Sequence, residues 1–282
     1  MLNGWGLEVQ SSGKVLGTGA TADSSLQMLE QAFAKQGDIV RSILCVFTPT
    51  ADATNINQHI TRMTLLAGGA RFWDMPMTYF AALFTFMGKK AEFSNAQPWT
   101  EFPLHMWRQY SAPPNVNLSL TLAKDATMGT TTAPTLNMYL AWNQRDPSMG
   151  YAYCLSQKYG VPVSANPFSV NPSQPGILQY IILGSLTHVT GLVYYDDRGQ
   201  RTQLLDPNAL YAFQELYQGV EASSFPLSTP FCFKVPEERS VVSGSTRIDF
   251  YTDSSYVDQE VGLVTYFPSP YAVQQMKAGK AA

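Results

Sequence analysis

Charge is scarce in this chain. Lys, Arg, Asp and Glu make up 14% of its 282 residues, where an ordinary globular protein has about 25%. A surface so poor in charge is mostly neutral and polar, which suits a chain that hides much of its outside against copies of itself. Cations are few and scattered: 18 Lys and Arg stand against 21 Asp and Glu, a formal net charge of −3. Nucleic-acid binding needs clustered Lys and Arg, so no specific nucleic-acid binding is expected. The basic doublet Lys89-Lys90 reads as a solvated turn. Cysteine is equally sparse. Cys45, Cys154 and Cys232 are far apart and lack CxxC spacing, which argues against a structural zinc site. Cys45 and Cys232 sit in apolar, strand-like runs where buried thiols are the usual outcome. This usage fits folding in a reducing cytoplasm.

Other absences narrow the chemistry. The longest apolar runs fall far short of the ~18–20 residues of a membrane span. The N-terminus lacks the basic stretch and apolar core of a signal peptide. The expectation is a soluble chain synthesised in a host cytoplasm, with later assembly on a membrane left open. The histidines are His59, His105 and His188, and no H-x-H occurs; each reads as a residue at a strand entrance rather than a metal ligand. Gly17-Thr18-Gly19-Ala20 is not followed by the G-K-[ST] of a phosphate loop, and the G-x-S-x-G nucleophile elbow is missing. Asp196-Asp197 and Glu237-Glu238 are adjacent acids in turns, better read as solvated than as an acid/base pair. Asn117-Leu118-Ser119 is a chance match to a glycosylation acceptor. Trp99, Phe102, Trp107 and Tyr110 could stack a sugar, but more often serve as core or interface anchors. No residue is assigned as catalytic, cofactor-binding or metal-ligating, and no cofactor is expected.

What the chain does have is a succession of short strands punctuated by turns. Residues 1–36 read as an arm, rich in Gly, Ser and Thr, with a strand-like Leu7-Glu8-Val9 and a helix at 23–35. Asp23 or Ser24 caps that helix, Leu26, Leu29 and Phe33 fall at helical spacing, and Gly37 stops it. Strand-like runs follow at 40–47 and 60–66. The turn Gly68-Gly69 then leads to Arg71–Trp73, a hairpin signature. A helix starts at Pro76 and ends at Gly88. Further strand-like runs lie near 100–109, 116–123 and 135–142. Residues 146–176 hold Pro147, Pro162, Pro167, Pro172 and Pro175 and read as a connector, with one short helix near 151–159. Strands are expected at 177–183, 188–195 and 201–204, a second helix from Pro207 to Gly219, and strands near 231–235, 246–252 and 260–267. The tail, 271–282, ends the chain.

The order of elements repeats at a spacing of about 130 residues. His59-Ile60-Thr61 corresponds to His188-Val189-Thr190, Arg71 to Arg201, Pro76 to Pro207, Ala81 to Ala212 and Gly88 to Gly219. Leu118-Ser119-Leu120 is set against Ile248-Asp249-Phe250, and Leu136–Trp142 against Val261–Phe267. Each half runs strand, strand, Gly turn, strand, helix, then three strands. Identity between the halves is low, and Phe84 corresponds to Glu215, so the repeat rests on element order.

A duplicated β-unit with one inserted helix resembles the double jelly-roll major capsid proteins of tailless icosahedral viruses, mostly with an internal membrane. The chain looks closest to short members such as those of membrane-containing marine bacteriophages. The resemblance covers about residues 37–270. It implies an all-β protein of two tandem jelly-roll barrels or sandwiches, 37–145 and 177–270, each with one inserted α-helix, plus the N-terminal helix. It further implies a structural virion protein that is not an enzyme. Homotrimers with a nearly hexagonal outline would meet by trimer–trimer contacts in a shell, beside minor capsid or penton proteins. An internal membrane could be met through the N-terminal helix. The alternatives are a carbohydrate-binding or adhesive β-sandwich, and a two-jelly-roll glycan hydrolase that resembles peptide N-glycosidases and would use acids such as Glu101 and Glu221.

Overall fold

The computed structural model describes residues 5–15, 25–32, 39–48, 60–67, 70–86, 99–106, 117–124, 135–143, 151–158, 167–173, 176–196, 198–204, 208–209, 212, 230–235, 241–242, 245–256 and 260–267. They are almost entirely strand. The first nine elements are β1 (Trp5–Val15), β2 (Ser25–Ala32), β3 (Ile39–Thr48), β4 (Ile60–Ala67), β5 (Ala70–Pro76), α1 (Met77–Phe86), β6 (Trp99–Met106), β7 (Asn117–Lys124) and β8 (Thr135–Asn143). Then come β9 (Tyr151–Lys158), β10 (Phe168–Val170), β11 (Gly176–Leu183), β12 (Val189–Tyr195), β13 (Arg201–Leu204) and β14 (Phe231–Lys234). The series closes with β15 (Val241–Val242), β16 (Arg247–Thr252) and β17 (Glu260–Phe267). Asn208, Ala209 and Ala212 are helical, and the rest of the helix expected from Pro207 lies outside the described residues.

The chain divides into two compact units. Unit 1 holds Met1–Met77, Lys90–Ala152 and Pro268–Ala282, and unit 2 holds Thr78–Lys89 and Tyr153–Phe267. In unit 1, one sheet has the order β1-β8-β3-β6 and a second run of paired strands has the order β2-β7-β4-β5. In unit 2 the corresponding orders are β9-β17-β11-β14 and β10-β16-β12-β13, with β15 added beside β11. The two units therefore share one topology, strand for strand.

The irregularities recur too. In the β4–β7 ladder, Ile60 faces Lys124 and Arg62 faces Ala123, so Thr61 is bulged out. In the β12–β16 ladder, Val189 faces Thr252 and Gly191 faces Tyr251, so Thr190 is bulged out. Arg41 between β3 and β8 and Gln179 between β11 and β17 form a second matched pair. A bulge inserts one residue and bends its strand. Two bulges at the same two places in both units are a structural repeat that hydrophobic patterning alone does not impose. The ladders refine the alignment: Leu120 holds the place of Ile248, two residues short of Phe250.

Alternation builds both cores. In β4, Met63 and Leu65 are buried while Arg62, Thr64 and Leu66 between and beside them are half-buried, and in β5 Trp73 and Met75 are buried. Unit 2 buries Leu178, Ile181, Leu183, Leu192, Tyr194, Ile248 and Phe250. Phe168 faces Phe250 directly across the ladder, their rings stacked at 4.9 Å. β11 is apolar on both faces, because α1 covers the second one: Phe86 meets Tyr180 edge-on at 5.6 Å. Helix α1 is apolar nearly all round, with Met77, Tyr79, Phe80, Ala82 and Leu83 buried, and it has no acid in its first turn and no base in its last. Packing holds it, not its dipole. The Tyr79 hydroxyl donates to the Glu260 carbonyl at 2.6 Å, which fixes the helix to β17.

Two expectations are overturned. The helix read at 23–35 is strand β2, paired with β7. The ladder explains the misreading: a bulge at Met28 sets Leu26 opposite Leu122 and Leu29 opposite Leu120. Residues three apart then share a face, as they would in a helix. The stretch 146–176, expected as a connector with a short helix near 151–159, contains β9 and β10 instead. There, pairing with a distant strand overrides local propensity.

Of the glycines Gly176, Gly191 and Gly199, Gly176 has the tightest surroundings. Its φ is +130°, and a Cβ there would meet the Tyr266 carbonyl oxygen at 2.5 Å. Gly199 has φ +73° with open space around it. Gly176→Ala is expected to cost about 2–3 kcal/mol, since strain and a backbone clash add, and Gly199→Ala about 1–2 kcal/mol from the left-handed backbone alone. Urea unfolding of both variants checks the order; equal midpoints would contradict it.

Candidate functional site

Side chains that could do chemistry or bind a partner collect on the face of β4-β5 and of β12-β16 opposite the buried residues. In unit 1 the centre is Asp74, which is mostly buried. It faces Thr64 across the ladder, and the Thr64 hydroxyl donates to it at 3.3 Å. Arg62 Nε donates to the carboxylate, and Arg62 Nη2 reaches the Asp74 carbonyl at 3.3 Å. Arg71 Nη1 donates to the other carboxylate oxygen at 2.7 Å. Arg71 and Asp74 are three apart and would point to opposite faces of a regular strand. They meet because the register slips at Phe72, between Leu65 opposite Trp73 and Leu66 opposite Arg71. One carboxylate thus holds two guanidinium groups, and the cluster keeps one surplus positive charge.

Unit 2 solves the same problem with other residues. Asp249 is buried and accepts from the Ser169 hydroxyl at 2.6 Å and from Arg247 Nε at 2.9 Å. The Arg247 guanidinium lies 4.2 Å above the Tyr195 ring, a cation–π contact. Tyr195 first, and Asp249 after it, hold Arg247 still more firmly in its charged form, against the opposing effect of burial. Tyr251 packs beside Gly191, where an added Cβ would meet the tyrosine at an ordinary contact distance of 3.6 Å.

The sequence-predicted positions fall as follows. Asp196 is in a turn as expected, but it is buried, not solvated. Its carboxylate accepts from the backbone N–H groups of Arg198 at 2.9 Å and Gln200 at 2.7 Å, so it organises the β12–β13 turn. His188 stands just before β12, and its Nδ1 is 3.0 Å from Asp253 Oδ2. Facing a carboxylate, that nitrogen carries the proton and donates. Cys232 is fully buried. The backbones of Cys45, Glu101, His105, Trp99 and Phe102 lie in β3 and β6. His59, Trp107, Tyr110, Glu221, Glu237-Glu238, Lys89-Lys90 and the Gly17–Ala20 segment lie outside the described residues. Among the described residues, no group of three or more His, Cys, Asp or Glu is placed to hold a metal ion, and no helix is long and apolar enough to cross a membrane. Sequence reading missed both arginine–aspartate clusters. Arg71 and Asp74 share β5, and Arg247 and Asp249 share β16, but the other members, Arg62, Thr64 and Ser169, come from different strands, and no local pattern joins Ser169 to Asp249.

No protein-family model matches the chain, and no curated protein matches it in sequence. Solved structures do match. A chain from the atomic structure of Sulfolobus turreted icosahedral virus superposes with a TM-score of 0.64 at 14% identity, over 96% of this chain and 93% of that one. A chain of the quasi-atomic PBCV-1 virus capsid gives a TM-score of 0.51 at 8% identity, over 95% and 94%. At such identities the likeness is one of fold: this chain shares the fold of these two viral chains across nearly its whole length.

Two outcomes are expected from the site. Asp74→Ala leaves two guanidinium groups without their carboxylate, and it should lower stability by about 1–3 kcal/mol. That is less than for a fully buried pair, because both arginines are partly in water. An unchanged urea midpoint would show that the cluster contributes nothing. The Asp253 carboxyl lies below its ordinary value, chiefly through His188 and then through the Ser255 N–H. A carboxylate depressed in this way stabilises the fold above its ordinary value of about 3.9, and the contribution is lost as pH falls through the folded value. His188→Ala should therefore move the Asp253 titration upward in carbon-detected NMR; no movement would mean that the pair does not form.

Proposed function

We propose that this chain is the double jelly-roll major capsid protein of a tailless icosahedral virus. In this reading each unit is a jelly roll built on eight corresponding strands, and in the chain one helix follows the fifth strand of each set. The observation that carries the reading is the recurrence of one strand order with the same two bulges in both units. The likeness in fold to the two viral chains supports it over nearly the whole length.

The physical logic is one of symmetry. Three chains with two like units present six similar edges, an outline that tiles a flat facet. A closed trimer satisfies one set of interfaces, and contacts between trimers extend the sheet of subunits into a shell. The low charge of 14% suits surfaces that bury against copies of themselves. The role is structural, in the virion, with penton or other minor proteins completing the shell. The segment expected to reach a membrane is committed to β2, so membrane contact through an N-terminal helix is not part of the proposal. The likeness in fold does not favour a carbohydrate-binding or hydrolase role.

Light scattering on the purified protein tests this. The expected mass is that of three 31.1 kDa chains, or of a larger shell-like particle. A monomer at every concentration up to the millimolar range would overturn it.

A further inference from the structure

The repeat singles out two exposed arginines. Arg71 lies opposite Leu66 at the start of β5, and Arg201 lies opposite Tyr195 at the start of β13. Leu66 and Tyr195 hold the same place, because both are paired with corresponding residues, Ser119 and Arg247, of the next strand. The two arginines thus occupy one ladder position in the two units, on the face opposite the core. Both are exposed, and the Arg71 side chain keeps 62% of its surface.

Folding accounts for one of the two, since Arg71 is tied to Asp74, but it gives no reason for Arg201. The neighbouring ladder place, opposite Leu65 in one unit and Tyr194 in the other, has diverged to Trp73 and Thr202. The neighbouring place thus differs between the units, while this one holds an arginine in both. In both units the arginine joins a face that already holds a second arginine and one buried aspartate, Arg62 with Asp74 and Arg247 with Asp249. Among the described residues, each of these groups therefore ends with one positive charge in excess. Arg71 gives one N–H to Asp74 and retains other donors, and Arg201 makes no ion pair among the described residues.

We propose that Arg71 and Arg201 each bind a carboxylate of a neighbouring copy of this chain, making the same contact at all six edges of the assembly. The inference rests on the capsid reading. In a ring of three chains and six like units, a contact made at every edge must come from repeat-equivalent residues, and these arginines are such a pair. A second copy is the fitting partner, because the chain carries more acids than bases, 21 against 18. A carboxylate accepts two parallel N–H bonds from a guanidinium, which adds direction to a contact between largely neutral surfaces.

The test uses the full chain with Arg71→Glu, Arg201→Glu and both together, sized by light scattering at increasing salt, with thermal melts to confirm folding. Wild-type assembly is expected to weaken as salt rises. Each single change should raise the concentration needed for assembly by about tenfold, and the double change should leave only smaller species. Should Arg71→Glu fail to fold through its tie to Asp74, Arg201→Glu alone carries the test. A folded double variant that assembles like wild type overturns the proposal while leaving the capsid reading intact. A wild-type monomer at every concentration overturns both. Normal assembly with lost binding to duplex DNA or to anionic phosphatidylserine vesicles would assign the arginines to phosphate groups and overturn the carboxylate contact.

Discussion

Pairing between strands far apart in sequence is the constraint on which everything else here depends. β1 is joined to β8, with Trp5 opposite Asn143, and β9 lies beside β17. Each buried backbone N–H and C=O must find a partner, and in both units the partners come from nearly the whole length of the unit. No strand of this set is stable by itself. The sheet orders also decide what the faces can carry. Thr64 and Asp74, or Ser169 and Asp249, become neighbours only once their strands are in register. The clusters are products of the ladder rather than features that nucleate it.

The bulges show how a ladder can be both regular and adjusted. Thr61 and Thr190 interrupt alternation at the same point of the same ladder, and Arg41 and Gln179 do so in another. A bulge re-aims the side chains beyond it. The slip at Phe72 turns Arg71 toward Asp74, and its counterpart in β13 is absent, since Arg201 to Leu204 pair without interruption. Unit 2 places its aspartate on β16 instead, where Arg247 reaches it from two residues away along the strand. Two units of one topology thus satisfy a buried carboxylate by different routes. The shared requirement is that a charge taken from water must be paired and hydrogen-bonded.

What was legible in the sequence follows from how local each signal is. The hairpin at 60–73 and helix α1 have their punctuation within a few residues, in Gly68-Gly69, Pro76 and Gly88, and both stand where expected. Most strands after β3 also fall within a few residues of their expected places. The segment 25–32 was misread because a bulge gives a strand the three-residue spacing of a helix. β9 was misread because its pairing partner lies about a hundred residues away, beyond any window that propensity can sense. The arginine–aspartate clusters were invisible because they are completed here only through a register slip or a ladder partner. Arg62 and Asp74 carry no signal of their own until the hairpin sets Thr64 opposite Asp74.

The scarcity of charge gives these clusters their meaning. In a chain where 14% of residues are charged, a surface arginine is an uncommon feature, and two at one ladder position need a cause. Stability is a poor one. Exposed ion pairs contribute about 0–1 kcal/mol, and Arg201 is not in one among the described residues. A contact between copies is a better cause, because an isolated charge on a neutral surface has few competitors for its partner. Neutral, polar surroundings supply area without specificity, and one guanidinium facing one carboxylate fixes the register between the surfaces that carry them. Low overall charge and recurring arginines are then two sides of the same design: broad surfaces free to approach one another, and a sparse set of charges that decides where they stop.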